Sequence, residues 1–163
     1  MSSKITNKTL NDLEFFTVLA RISGYCTTTL GKENVLKIEP ITNKTDLLKK
    51  LQQTNEYLAS FQNENKIPNH HFEEITKEIH ILGIEDSFLE APSFQQIVSI
   101  SNTVNELLKF FKKFKAYHPH LYAFSEPVDS TKVIVEHIDK IINRFGEIKD
   151  DASDELRSIR KEI

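Results

Sequence analysis

Gly146-Glu147-Ile148-Lys149-Asp150-Asp151-Ala152-Ser153-Asp154-Glu155-Leu156-Arg157-Ser158-Ile159-Arg160 reads as a helix stop, a short extended excursion and a new helix start. Glycine reaches the left-handed conformation that ends a helix at little cost, so Gly146 is expected to close the helix before it. Ser153 can cap the next helix by accepting from a free backbone N–H. Asp154 and Glu155 then lie in the first turn, where negative charge suits the helix dipole. Leu156, Ile159 and Ile163 begin an apolar stripe at helical spacing. The sequence stops about three turns into this helix. Such a start without a matching stop leads us to expect more chain downstream.

Working outward, the same grammar repeats. Asn11 followed by Glu14 suggests a capping box, and Phe15, Val18, Leu19 and Ile22 follow at helical spacing up to Ser23-Gly24. This helix is apolar on most sides and reads as a core element. A second helix is expected from about Thr28 to Ile38, stopped by Pro40. Asn43 caps a third, with Leu47, Leu51, Thr54, Leu58 and Phe61 on one face. After the polar loop 63–69, a fourth is expected over His70 to Leu82, ended by Gly83. Pro92 suits the first turn of a fifth, reaching about Ala116, with Ile97, Ile100, Val104, Leu107, Phe111 and Phe114 inward. At 1.5 Å per residue it would be a strut of roughly 35 Å. His118-Pro119-His120 breaks it, and residues 121–124 suggest a short turn. Ser130 is expected to cap a further helix carrying Ile134, Ile138, Ile141 and Phe145. The spacing beyond Val133-Ile134-Val135 favours helix there over strand. Four glycines and five prolines in 163 residues, with almost no alternating apolar pattern, predict an all-α bundle of six to eight helices, with one extended segment near Glu147 to Lys149.

Composition narrows the function classes. A net charge of −3 gives no overall basic field, so any nucleic-acid contact must be local or made elsewhere. Cys26 is alone, which excludes an intramolecular disulfide and fits a reducing compartment. No apolar run approaches a membrane-spanning length, and the first residues lack a signal core. A cytoplasmic location is the expectation.

The candidate chemistry is sparse. His70 and His71 beside Glu73 and Glu74, and His118 with His120, invite a metal. Adjacent helical histidines diverge by about 100°, however, and a zinc site needs three or four converging ligands. Lys109, Lys112, Lys113 and Lys115 interleave with Phe110, Phe111, Phe114 and Tyr117. That pattern suits either a solvated helix face or a phosphate-contacting platform. Cys26 has no base nearby in sequence and reads as a small buried hydrophobe. Glu73, Glu74, Lys77 and Glu78 read as a wet face. No phosphate loop, nucleophile elbow or His-Glu-x-x-His pair occurs. We therefore assign no catalytic, cofactor-binding or metal residue in this chain.

Gly146, Ile148, Asp150, Ser153, Glu155, Leu156, Ile159 and Arg160 match the pattern that joins the lever to the first clamp helix in the MutS family. Phe145 stands where an acidic residue is common, a departure confined to the turn. Leu13-Glu14-Phe15, the segment Tyr25 to Glu33, Pro40 and Thr54-x-Glu56 resemble the start of the branch that lacks the mismatch-reading and connector domains. The resemblance covers roughly the whole chain. It implies a helical lever over residues 1–145 and a transition with the root of the first clamp helix over 146–163. It also implies a dimeric ATPase that clamps irregular nucleic acid in DNA repair and recombination control, or acts on stalled ribosomes, with an endonuclease domain in many members. ATP, magnesium and the nuclease would belong to parts of that protein outside this chain. Two rival expectations remain: a self-contained helical adaptor docking a partner helix, and a helical enzyme with a histidine-lined metal site. An unpartnered last helix would also expose its stripe and favour self-association.

Overall fold

The chain is described here by a computed structural model covering residues 5–62 and 64–162. Among them lie nine helices: α1 Asn7–Asp12, α2 Phe15–Tyr25, α3 Thr29–Leu36, α4 Lys44–Ser60, α5 Thr76–Leu82, α6 Ala91–Lys113, α7 Pro119–Ser125, α8 Lys132–Ile141 and α9 Asp154–Glu162. No strand forms among the described residues. Among these residues one antiparallel bridge pairs Ile142 with Ile148, the second of which lies in the expected extended excursion. The all-α expectation is borne out. The count exceeds six to eight because α1 and α7 stand as short helices of their own. Ile163, placed on the terminal stripe, and Asn63 lie outside the described residues. No helix is long and apolar enough to cross a membrane among the described residues.

The helices form two compact units, one up to Leu51 and one from Gln52 onward. In the first, α2 packs against α1 and α3. The Thr6 hydroxyl caps α1 by accepting from Thr9 N–H at 3.2 Å. Asn11 thus lies inside α1, and the capping box expected from Asn11 and Glu14 does not form. Glu14 instead takes a left-handed conformation, φ 53°, which breaks the chain between α1 and α2. Helix α2 runs through Ser23 and Gly24, where a break was expected, and ends where Cys26 turns extended. Leu19 is buried, whereas Phe16, Val18 and Ile22 are exposed. Its neighbours in this unit cover one side of α2 only, so it is not a core helix on most sides. Thr28 Oγ1 accepts from Gly31 N–H at 3.0 Å and starts α3. Asn43 caps α4 as expected, its Oδ1 accepting from Thr45 and Asp46 N–H at 2.8 and 3.2 Å.

In the second unit α6 is the spine. Its 23 residues span roughly 35 Å, and both α7 and α8 pack on it. Ile97, Ser101 and Phe110 of α6 are buried, together with Ile142. Phe110 is thus the deepest phenylalanine of α6, and the expected Phe111 and Phe114 are only half-buried beside it. The helix closes at Lys113 instead of Ala116. The α5 helix begins at Thr76 instead of His70, because side chains hold the preceding backbone in other bonds. Asn69 Oδ1 accepts from His71 N–H at 3.1 Å, and His70 Nδ1 bonds Pro68 O at 3.0 Å. Ser130 does not cap α8. Its hydroxyl donates to Asn105 Oδ1 at 2.9 Å, and the same oxygen accepts from Thr131 N–H at 2.9 Å. A side chain of α6 therefore holds the backbone just before α8, and no side-chain cap forms on the helix itself. Phe145 lies beyond the end of α8, exposed, and not on its face.

Two glycines make opposite predictions. Gly24 lies within α2, and an added Cβ would meet nothing within 4 Å. Gly24→Ala should raise stability by about 0.5–1 kcal/mol. Gly146 has φ +81°, and an added Cβ would fall 2.7 Å from Gln95 Cδ. Gly146→Ala should cost about 1–3 kcal/mol. Urea-unfolding midpoints of the two variants check both signs.

Candidate functional site: the joint before the last helix

The joint starts where α8 ends at Ile141. Ile142 turns extended and buries its side chain. Lys149 N–H then donates to Ile141 O at 2.8 Å and Asn143 N–H to Glu147 O at 2.9 Å, closing a tight antiparallel loop. Asn143 organises that loop from inside. Its Oδ1 accepts from Phe145 and Glu147 N–H at 2.9 and 3.0 Å, and its Nδ2 donates to Glu147 Oε2 at 3.0 Å. Gly146 is left-handed as expected, but it serves this loop five residues past the end of α8 and does not cap that helix.

Gln95 of α6 pins the loop to the spine. Its amide lies against Gly146, in the space a Cβ would need, and Nε2 donates to Arg144 O at 3.4 Å. On the far side the Lys149 ammonium donates to Asp139 O, and Ala152 N–H to Lys149 O at 3.1 Å. Ser153 caps α9 as expected, its Oγ accepting from Leu156 N–H at 3.1 Å. The Glu155 carboxyl is held below its usual range by its own backbone N–H and by the Ser153 hydroxyl. Arg160 reaches back from α9 to pair with Asp150. The root of α9 is thus fastened at both ends of the turn that leads into it.

A second polar cluster ties the C-terminal part of α4 to the start of α7. Glu56 Oε1 accepts from His120 Nδ1 at 2.6 Å, and the carboxylate accepts the His120 and Leu121 N–H groups at 3.0 and 2.9 Å. These amides open α7 and have no partner within it, so Glu56 fills the role of a cap from a distance. Gln53 Nε2 reaches His120 O at 3.5 Å. Burial by itself would raise the Glu56 pKa. The two backbone amides and the His120 ring outweigh it and hold the carboxyl below its usual range. His118, the residue before α7, is buried against α6, its ring centroid 5.7 Å from that of Phe110 and 6.3 Å from that of Phe111.

The residues singled out in the sequence disperse. His70 Nε2 accepts from the Tyr57 hydroxyl at 3.2 Å, Glu73 accepts from Gln96 and Glu74 from Thr76. No group of three or more His, Cys, Asp or Glu could hold a metal among the described residues. Cys26 is half-buried, more open than expected, with its thiol 3.6 Å from Ile22 O. The sequence missed Gln95 and Asn105, whose partners lie 49 and 26 residues away or less. Nothing in their local pattern signals those bonds. The role of Glu56 was equally hidden, although Glu56 itself stood in the family pattern.

A depressed carboxyl pKa adds stability above the unfolded value, lost as pH falls through the folded one. Unfolding free energy should therefore drop as pH falls below about 5, and Glu56→Gln should remove part of that dependence. Glu56→Ala, leaving two α7 amides without an acceptor, should cost about 1–3 kcal/mol near neutral pH. Thermal and urea unfolding across pH check both effects.

No family model matches the chain. Curated relatives do. An endonuclease MutS2 of Geobacillus sp. (strain WCH70) is 24% identical over 158 residues, 96% of this chain and 20% of the relative. Those of Pelotomaculum thermopropionicum and Bacillus velezensis are each 25% identical, over 96% of this chain and 20% of the relative. The chain thus spans about a fifth of the length of the relatives it matches. The resemblance read at the two ends of the sequence therefore holds along nearly all of it, and the chain is similar to the MutS2 endonucleases of the MutS family.

Proposed function

We propose that this chain is the lever region of a MutS-like, DNA-acting ATPase, with residues 1–145 forming the lever and 146–163 the transition into the first clamp helix. The observation that carries the proposal is the joint. Gln95, Gly146, Ile142 and Ile148 fasten the loop that leads into α9 to the longest helix of the unit. A stiff strut joined firmly to an outgoing helix suits the transmission of a rigid-body shift between discrete arrangements. In this reading ATP and magnesium bind elsewhere in the parent protein, as do the clamp and the nuclease. The lever's partners are the clamp and ATPase domains of its own chain. DNA or the ribosome is met through the whole protein, a homodimer working in the cytoplasm in DNA repair and recombination control.

The uncovered apolar side chains support a part that docks against others. Leu58, Phe61, Leu82, Phe88 and Val133 of the second unit are all exposed. Side chains left open in this way are available to a partner surface. They equally favour the second reading, an adaptor that docks a partner helix.

The chain by itself should neither hydrolyse ATP nor cut DNA. Turnover by highly purified protein, abolished by a point change within it, would overturn the lever reading. In the longer protein, two glycines inserted after Asp150 should leave basal ATP hydrolysis intact and abolish the effect of ATP on nucleic-acid affinity. An unchanged ATP effect would favour the adaptor.

A further inference from the structure

Between Glu106 and Glu126 the chain carries four lysines and no acidic residue, in a protein whose net charge is −3. The structure gathers this charge at one place. Lys109, Lys112 and Lys113 lie within an arc of about 100° on the last turns of α6, and Lys109 and Lys113 are separated by about 6 Å along the axis. Phe110, Phe111 and Phe114 occupy the opposite side, buried or half-buried. Lys115 follows in the turn just past the helix end, and all four lysines are exposed. The ammonium groups of Lys109, Lys112 and Lys115 make no hydrogen bond or ion pair among the described residues. The Lys113 ammonium stands 5.0 Å from the centroid of the Phe114 ring. Two residues past Lys115, Tyr117 leaves 70% of its surface open.

Helix-dipole compensation explains Lys112 and Lys113, which sit in the last turn. It does not explain Lys115, which lies beyond the helix, or an open aromatic beside it. Neither lysine solubility nor a wet helix face requires a 19-residue stretch free of acid. Cations repeated along a rigid rod suit a regular chain of phosphates. An aromatic face at the end of such a row suits a stacked base. We propose that the C-terminal end of α6, with Lys109, Lys112, Lys113, Lys115 and Tyr117, is a contact surface for single-stranded nucleic acid. The lysines take the phosphates and Tyr117 stacks on a base. This surface would act whether or not the chain is a lever.

The test uses this chain and fluorescein-labelled DNA and RNA 20-mers of one mixed sequence, read by anisotropy against salt. Binding should weaken with salt at a log–log slope of about −3, four contacts at roughly 0.7 each. Replacing the four lysines by Gln should weaken binding at low salt at least about tenfold and flatten the slope toward zero. Lys44, Lys77, Lys132 and Lys161 changed to Gln together should retain both, at the same charge. Tyr117→Ala should weaken binding without changing the slope. Circular dichroism should show equal helix content in all variants, since every substituted side chain is exposed. The proposal fails if the unaltered chain does not bind either oligonucleotide, or if the two four-lysine variants lose binding equally. It also fails if phosphatidylserine vesicles or poly-glutamate use these lysines more tightly than the oligonucleotides do.

Discussion

The second unit depends on one carboxylate. Within it α6 gathers α7 and α8, but the C-terminal part of α4 shares no extensive helix packing. Glu56 supplies the tie, with both oxygens committed to the opening amides and ring of α7. Hydrogen bonds to an ionised acceptor are stronger than neutral ones, and these lie where the Glu56 side chain is only 11% exposed. The part of α4 from Gln52 onward is thereby fixed by a polar contact while Leu58 stays open. Such a helix is anchored without being enclosed, which leaves its apolar side available for another surface.

The joint before α9 applies the same economy. Asn143 satisfies two amides of its own loop, and Gln95 lies where only a glycine leaves room. Few residues are spent, yet the loop before the outgoing helix is held to α6 through Gln95, and the helix is tied back to Asp150 through Arg160. In the proposed lever this is the property that matters, because a compliant joint would dissipate a displacement where a stiff one passes it on.

Local physics was legible in the sequence. The caps of α4 and α9 at Asn43 and Ser153, the left-handed Gly146, the long α6 and the extended excursion all follow from short-range preferences. The failures share one cause, which is competition from distant partners or from neighbouring side chains. Ser130 has the right chemistry for a cap, but its hydroxyl turns to Asn105 of α6 instead. His70 to Ile75 has helical spacing, but Asn69 and His70 divert the backbone bonds. Gly146 was placed correctly in conformation and wrongly in role, because α8 stops earlier to bury Ile142. Of the candidate site, the cap and acidic first turn of α9 were readable, whereas the Gln95 pin was not.

In the proposed lever the root of α9 moves as one body with α6. Spin labels at the exposed positions Asn102 and Ser158, in a Cys26→Ser background, report the distance between the two helices by pulsed electron paramagnetic resonance. A single narrow distance distribution is the predicted result. A broad distribution in the folded protein would contradict the account, because a loose joint cannot carry a displacement from α6 to the helix that leaves it.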